Sequence, residues 1–410
     1  MHLEKRRPLR VAVGPTVLAV FVHAGSLKSN PYLVWVPGDL TVILGIALIA
    51  LIGAELSRTQ FLSRSIWVSA TVAVGMLLGV AAIRTPYGFE KALSFFTITL
   101  LALVGAVVLL REASQRRAFL GALAGIGAIV AILVALFPAR TAEWSEVVTL
   151  AGTNTISTSQ MVTGGAVVFG MYAIVGKGST LRRIVAALAA TGMFLIALST
   201  GSRGPVVALG IGIAVALLFA PVFNKRRGRS IVAVLIALGI GAFFALRQGS
   251  EGLDRVLGFL AGDADTSTNA RTTLWSTAWD HIGQMPFGGG WGYFGSVREI
   301  GFNALNGGTT YPHSVPLEIA LEAGWATGLL FAFLAICGVV RLMRRANDPT
   351  TTMFLVLLIF TLTNSMLSGD INDNRLMWVM LTAAWVVPKR AVGTPATHHV
   401  EGLVRSGRWA

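Results

Sequence analysis

The sequence predicts an all-α polytopic membrane protein, and three observations support that prediction. Hydrophobic residues make up 54% of the 410 residues and charged residues only 13%, whereas soluble domains carry about 25% charged residues. The mean hydropathy is +0.71. Apolar runs of roughly 20 residues, the length that crosses a bilayer core, recur along the whole chain. The composition therefore favours a bundle of membrane helices over a soluble globular domain.

About twelve transmembrane helices are predicted from these runs. The first run, residues 11–25, follows a basic N-terminus. It lacks a clear small-x-small cleavage site, so a retained helix is favoured over a signal peptide. The other runs lie near residues 32–54, 66–83, 92–110, 118–138, 158–176, 184–200, 204–223, 230–246, 314–340, 351–369 and 376–388.

The positive charges are distributed unevenly between alternate connections. One set of connections, which includes both chain ends, holds 23 of the 33 Lys and Arg residues, mostly in short loops. Short cytoplasmic loops are enriched in Lys and Arg, so both termini are predicted to be cytoplasmic. The net charge of +14 is then explained by topology and by contact with anionic lipid, without nucleic acid as a partner.

Four segments follow from this topology. Residues 1–246 are predicted to hold transmembrane helices 1–9, and residues 247–312 an outer loop with an interfacial helix. Residues 313–388 hold helices 10–12, and residues 389–410 form a cytoplasmic tail. A connection as long as the outer loop is usually functional. The single cysteine, Cys337, permits no internal disulfide.

The most informative stretch is the start of the tenth helix, which holds His313, Glu318 and Glu322. An unperturbed imidazole has a pKa of about 6.5, so His313 can take a proton from a hydroxyl group at neutral pH. The two carboxylates lie on one helical face and are expected to orient the imidazole or stabilise its charged form. The alternative is a surface histidine beside carboxylates neutralised by arginines. Ionisable groups this far into a membrane segment favour function.

Small residues recur every four positions in the same stretch, at Ala320, Gly324 and Gly328. This spacing is typical of membrane helices that pack closely against their neighbours. The run is therefore predicted to be one helix inside the bundle, with its chemistry at one end.

Arg203 lies between two apolar runs, in the segment STGSRGP at residues 199–205. Glycines and a proline there are expected to break the helices and leave backbone N–H groups near a guanidinium. That combination suits a phosphate group. An interfacial arginine that reaches the lipid headgroups explains the motif equally well.

The outer loop contains Arg271, Trp275 and Trp279 at a spacing of four residues. In a helix they share one side, which predicts a helix in the plane of the membrane interface with Arg271 at the level of lipid phosphates. The adjacent apolar positions are Leu274, Ala278 and Ile282. Plain interfacial anchoring accounts for the tryptophans but not for the arginine.

A glycine-rich segment follows at residues 285–294 and contains Trp291 and Tyr293. Its glycines permit tight turns and close approach of the backbone to a ligand. The aromatic rings suit the faces of sugars, although such rings more often line the membrane interface. No Walker or dinucleotide motif is present.

Metal sites look poor in this sequence. Asp263 and Asp265 form an Asp-x-Asp pair, but the α/β nucleotide-binding fold that usually surrounds such a pair is not predicted. Near the last outer turn, Asp370, Asp373 and Arg375 either complete an outer pocket or form a solvated turn, and the solvated turn is favoured. No cofactor is expected.

Three motifs together resemble the O-antigen ligase and polymerase superfamily. They are STGSRG at 199–204, RTTLW at 271–275 leading to PFGGGWGYF at 286–294, and Pro312-His313 followed by Leu317, Glu318, Glu322 and Gly324. Their order and spacing match over roughly residues 190–340. Ser314 stands where the family often has Asn.

The resemblance implies an integral membrane glycosyltransferase of GT-C type. Such proteins use a glycan on undecaprenyl pyrophosphate at the outer face of the inner membrane, without a metal or a nucleotide sugar. Ligases transfer it to a lipid-core sugar and polymerases to another repeat unit. By this resemblance, Arg203 and Arg271 hold the pyrophosphate and His313 activates the acceptor hydroxyl. We expect Glu318, Glu322, Trp275, Trp291 and Tyr293 to bind substrate.

Physical chemistry agrees with that assignment. Two arginines can stabilise the negative charge of a departing pyrophosphate, and one displacement by the acceptor predicts inversion at the anomeric carbon. A transporter or flippase of the same lipid-linked oligosaccharide is the alternative. Transporters place polar groups near the bilayer midplane, whereas here the ionisable residues crowd the outer end.

Overall fold

A computed structural model describes residues 8–59, 65–140, 147–220, 266–297 and 310–387, with four single positions at 236, 239, 243 and 258. Within this part the protein is almost entirely helical. Seven helices are long and apolar enough to cross a membrane, and four shorter helices are apolar. The prediction of an all-α multi-pass membrane protein is confirmed in this form. The predicted run at 230–246 lies almost wholly outside the described residues.

Fourteen α-helices and two short strands are numbered here in chain order over the described residues. The first half contains α1 (Pro8–Leu27), α2 (Leu40–Thr59), α3 (Ile66–Leu77), α4 (Pro86–Ser94), α5 (Leu100–Leu109), α6 (Ala113–Leu136), β1 (Ala139–Arg140), β2 (Val148–Thr149) and α7 (Thr155–Val175). The second half contains α8 (Thr180–Ser199), α9 (Arg203–Phe219), α10 (Thr266–Gln284), α11 (Val315–Ala323), α12 (Trp325–Arg345), α13 (Pro349–Leu367) and α14 (Arg375–Val386). A π-helical turn, Phe95–Thr99, joins α4 to α5, and β1 pairs with β2 in antiparallel register.

Local sequence signals set several helix starts. The Thr85 hydroxyl accepts a hydrogen bond from the Gly88 N–H, 3.0 Å away, and Pro86 occupies the first turn of α4. An N-cap threonine followed by proline is a strong helix start, because it satisfies a backbone donor that has no partner in the helix. The helix predicted to begin at residue 92 therefore begins at Pro86, and Lys91 lies inside it.

At the opposite end of the bundle, arginine side chains donate hydrogen bonds to the last carbonyl groups of neighbouring helices. Arg341 donates from Nε to the Ala384 carbonyl oxygen (3.0 Å) and from a terminal nitrogen to that of Trp385 (3.1 Å). Arg183 donates to the Ala173 carbonyl oxygen at 2.8 Å. A guanidinium at a helix C-terminus satisfies unpaired carbonyl groups and interacts favourably with the negative end of the helix dipole. Both arginines belong to the set predicted to be cytoplasmic.

The centre of the bundle is α13, of which 72% is buried, whereas only 17% of α2 is buried. Phe354 and Phe360 of α13 and Trp378 of α14 are fully enclosed. An apolar helix with most of its surface exposed suits a position facing lipid. Helices α9 and α11 pack against α13, and α10 packs against α11.

The segment predicted as one helix over 314–340 is two helices. Gly324 has a φ of 88°, a backbone conformation that residues other than glycine rarely adopt. This glycine separates α11 from α12. A Cβ placed on Gly328 would lie 3.0 Å from the Ala320 Cβ. The small residues thus let α12 turn back against α11, and the prediction of a single helix is wrong.

Candidate functional site

Helix α10 lies against α11 through one apolar face. Leu274, Ala278 and Ile282 are buried and pack against Leu321 of α11 and Phe294. The sequence predicted a helix here with these apolar positions on adjacent sides, but it placed that helix in the membrane interface and did not predict the packing on α11. Arg271 stands one turn before Leu274, so it lies at the end of α10 that approaches the start of α11. On the other side of the helix Trp279 is 63% exposed, and Trp275 is half-buried.

His313 precedes α11 in an unusual backbone conformation. Its φ is 52°, and it is the one non-glycine with positive φ among the described residues. Such conformations cost free energy and cluster at functional sites. The imidazole is half-buried and lies against the Tyr311 ring, with 4.4 Å between ring centroids. Its Nδ1 is buried and has no hydrogen-bond partner within the described structure.

The surroundings of His313 lower its pKa to about 4. Burial is the largest cause, because it removes water from the charged imidazolium, and the positive charge of Arg271 adds to it. The Asp370 carboxylate opposes them and raises the pKa. Arg271 and Asp370 therefore both lie close enough to His313 to act on its charge, and the imidazole is neutral at pH 7.

Arg203 is the first residue of α9 and is half-buried. A Cβ placed on the next residue, Gly204, would lie 3.6 Å from the Asn364 Oδ1 and 3.7 Å from the Leu367 Cβ. Leu367 ends α13, and Asp370 follows it by three residues. Arg203 is thus at the same end of the bundle as His313 and Arg271. Gly204 and Pro205 lie within α9, so the chain breaks before Arg203 and not around it.

The centre of the connection from α13 to α14 is buried. Ile371 is fully buried and Asn372 is 7% exposed. The Asp370 Oδ1 accepts hydrogen bonds from the backbone N–H groups of Asn372 (2.8 Å) and Asp373 (2.6 Å). The favoured prediction of a solvated turn is therefore wrong for the centre of this loop, and Asp370 is held beside His313.

Glu318 and Glu322 are buried and pair with Lys91 of α4. The sequence predicted that they bind substrate and either orient the imidazole or stabilise its charged form. In the structure Lys91 is inside α4, and the carboxylates face it instead of His313. They are 0% and 1% exposed, so their contacts here are with protein. Only the Thr-Pro start of α4 signalled that Lys91 belongs to a helix, and nothing in the sequence pairs it with α11.

Against this geometry, one family model, described as O-antigen ligase, matches residues 186–332. The match begins in α8 and ends in α12, so it includes Arg203, Arg271 and His313, and it confirms the resemblance predicted from the motifs. No curated protein matches the chain.

Within the matched segment, the glycine-rich stretch at residues 285–294 wraps the end of α11. The N–H groups of Gly289 and Gly290 donate to the carbonyl oxygens of Leu321 (2.7 Å) and Glu322 (3.2 Å). A Cβ on Gly288 would lie 2.6 Å from the Glu322 carbonyl oxygen. The close backbone approach that the glycines permit is thus made to the protein itself, whereas the sequence predicted approach to a ligand.

The two aromatic residues of that stretch, both predicted to bind sugar, occupy different environments. Trp291 is 1% exposed, donates from Nε1 to the Met76 carbonyl oxygen at 3.2 Å and packs against Phe95. The Tyr293 hydroxyl is 3.0 Å from the His281 Nδ1 and the side chain is half-buried. Trp291 is therefore a core residue in this structure, and Tyr293 is nearer to the surface.

A cavity of about 20 Å³ lies at the same end of the bundle. Its lining includes His23, Gln160, Asn364, Asp373 and Asn374. That volume holds about one water molecule and is too small for a sugar ring. Asp263, Asp265 and much of the predicted outer loop, residues 247–312, lie outside the described residues.

Proposed function

We propose that the chain is a membrane glycosyltransferase that moves a glycan from undecaprenyl pyrophosphate onto an acceptor sugar hydroxyl. It acts as an O-antigen ligase or as a polymerase that extends a chain of repeat units, on the outer face of the inner membrane with both termini cytoplasmic. The reaction inverts the anomeric carbon and needs neither a metal nor a nucleotide sugar. The observation that supports this most directly is His313, a half-buried imidazole with a φ of 52°, close enough to Arg271 for the guanidinium charge to lower its pKa.

The proposed reaction is one displacement. The acceptor oxygen forms a bond to the anomeric carbon as the bond from that carbon to the pyrophosphate oxygen breaks, and the bonding electrons leave with the pyrophosphate. The hydroxyl proton passes to the imidazole of His313. Arg203 and Arg271 bind the pyrophosphate and stabilise the charge that develops on it.

The low pKa of His313 in the free protein fits a role that begins only after the donor binds. A base with a pKa of about 4 is neutral at pH 7 but accepts a proton weakly. A bound pyrophosphate brings negative charge beside Arg271 and so raises the imidazole pKa toward its ordinary value. The donor therefore strengthens the base that acts on the acceptor.

Purified protein in lipid nanodiscs, given a pyrophosphate-linked glycan and an acceptor, provides the test. His313→Gln is expected to reduce transfer at least 100-fold, since general base catalysis contributes about 10²–10⁴. His281→Gln is the matched control, because His281 lies ten residues after Arg271 on α10, near the other end of that helix. Full activity of His313→Gln, or loss of wild-type activity on chelation of divalent ions, contradicts the proposed mechanism.

Two further mixtures separate the possible products. A lipid-linked repeat unit alone gives chain growth if the protein is a polymerase. Transfer that occurs only when a lipid-core acceptor is added indicates a ligase. Movement of the lipid-linked glycan across the membrane without any new glycosidic bond favours the flippase alternative and refutes the transferase.

A further inference from the structure

The buried cluster of Lys91, Glu318 and Glu322 joins three parts of the chain. The ammonium group of Lys91, on α4, contacts a carboxylate oxygen of each glutamate on α11. The second oxygen of Glu318 accepts a hydrogen bond from the Ile371 N–H at 2.9 Å. The first oxygen of Glu322 also accepts one from the Gly292 N–H at 3.0 Å. The cluster thus ties α4 and α11 to the α13–α14 connection and to the glycine-rich stretch.

Stability alone does not explain this cluster. All three side chains are at most 2% exposed, and two carboxylates face a single ammonium group. The second oxygen of Glu322 is buried and has no hydrogen-bond partner among the described residues. Buried ion pairs are often no more stabilising than apolar residues of the same volume, because the charges lose their hydration. A geometric role is therefore the more informative explanation.

The geometry that the cluster fixes is the position of Asp370 relative to His313. His313 lies five residues before Glu318, at the start of the same helical segment. Asp370 directly precedes Ile371, whose N–H binds Glu318. Lys91 holds this connection a second time, because its own carbonyl oxygen accepts a hydrogen bond from the Asn372 side-chain amide at 2.9 Å. The Lys91 ammonium group thus contacts α11, which follows His313, and the Lys91 carbonyl oxygen contacts the connection that carries Asp370.

We propose that Lys91 is a positioning residue, which holds the Asp370 carboxylate at a fixed separation from the His313 imidazole. The role rests on the proposed function, in which that imidazole takes the acceptor proton. Lys91 does not touch the substrate. It acts through α11 and the α13–α14 connection, and the carboxylate it positions stabilises the imidazolium that forms in the reaction.

The test uses Lys91→Met together with Glu318→Gln and Glu322→Gln, which removes the lysine without leaving two carboxylates unpaired. Lys28→Met is the matched control, because Lys28 is an exposed lysine at the end of α1. We expect the triple variant to stay folded, to bind donor with a KM within about threefold of the wild type, and to lose at least tenfold in kcat. Lys91→Arg keeps the charge but changes the reach, and it is expected to lose kcat in the same direction.

A second readout does not depend on transfer activity. The His313 pKa is measured by NMR of ¹³C-labelled histidine, with the signal assigned by its loss in His313→Gln. Besides Asp370, the groups that face this imidazole are Arg271 on α10 and the Tyr311 ring. In the wild type, Asp370→Asn is expected to lower the His313 pKa. In the triple variant and in Lys91→Arg, the same change is expected to have at most half that effect.

An unchanged effect of Asp370→Asn in the Lys91 variants overturns the positioning role, as does wild-type kcat in the triple variant. If the triple variant does not fold, the Lys91→Arg titration decides in the same way. Failure of the proposed function looks different: the wild type transfers no glycan, while the coupling between Asp370 and His313 is still measured by NMR.

Discussion

Replacing Arg271 with glutamine is expected to raise the His313 pKa and to move the acid limb of the activity profile to higher pH. The His313 pKa is about 4 against an ordinary value of 6.5. Burial and the Arg271 charge both lower it, with burial the larger cause, while Asp370 raises it. Removing the guanidinium leaves burial in place, so the pKa rises but stays below 6.5.

The size of this change follows from simple electrostatics. A unit charge about 10 Å away contributes about 1.7 kcal/mol when the effective dielectric constant is about 20. One pH unit corresponds to about 1.4 kcal/mol, so Arg271→Gln moves the pKa by about one unit, to about 5. Asp370→Asn removes a charge of opposite sign and moves the pKa downward.

The assay is the pH dependence of kcat/KM for the donor between pH 3.5 and 8, since this ratio reports the ionisation of the free protein. Arg271→Gln is also expected to lower transfer at pH 7 by about 100-fold or more, because it removes a donor that stabilises the leaving group. Arg271→Lys is the control for charge. It loses the bidentate guanidinium geometry and part of the activity, but its acid limb stays near the wild-type position.

Opposite shifts in Arg271→Gln and Asp370→Asn are the signature of an imidazole that lies between the two groups. An acid limb that stays unchanged in both variants shows that His313 is not the titrating base. A downward shift in Arg271→Gln shows that the guanidinium does not act on this imidazole, and either result refutes the reasoning.

Three further changes test the stability of the fold, each by unfolding in detergent. Between pH 6.5 and 4 the unfolded chain binds a proton at His313 that the folded protein does not, so the free energy of unfolding falls by about 3 kcal/mol as pH drops through this window. The His313→Gln variant is expected to lose correspondingly less stability over the same range. An equal loss in the two proteins contradicts the depressed pKa. Gly324→Ala is expected to cost about 1–3 kcal/mol, because its φ is 88° and a Cβ would lie 2.8 Å from the Phe287 carbonyl carbon. Gly125→Ala, where nothing lies within 4 Å, is the control and is expected to cost nothing. Arg341→Gln removes charged donors to the end of α14 and is expected to cost about 1.5–3 kcal/mol, whereas the exposed Arg344→Gln stays within about 0.5 kcal/mol; equal effects at the two arginines contradict a capping role.

The motif residues were predictable because each chemical type is scarce in such a chain. In a membrane protein with 13% charged residues, an arginine beside a helix break and a histidine before a helix stand out without any structure. The spacing of Arg271, Trp275 and Trp279 likewise predicted a helix, and α10 is that helix. Local spacing suffices for such features, because they depend on neighbours within two helical turns.

The contacts of Glu318 and Glu322 were not predictable, because their partner is more than 220 residues away along the chain. Spacing places both carboxylates on one face of a helix but does not identify what that face meets. The buried environment of Trp291 was missed for the same reason: an aromatic ring among glycines suits a ligand or a core equally well until its neighbours are known.

The sequence by itself determined the membrane class, the positions of most of the described helices, and the family motifs with Arg203, Arg271 and His313. These depend on hydropathy, helical periodicity and residue type, which are local properties of the chain. Only the tertiary structure decided that His313 has Arg271 and Asp370 beside it, that Lys91 is buried between two glutamates, and that α11 ends at Gly324. Those features arise from long-range packing, where the free energy of burying a charge depends on groups brought together only by the fold.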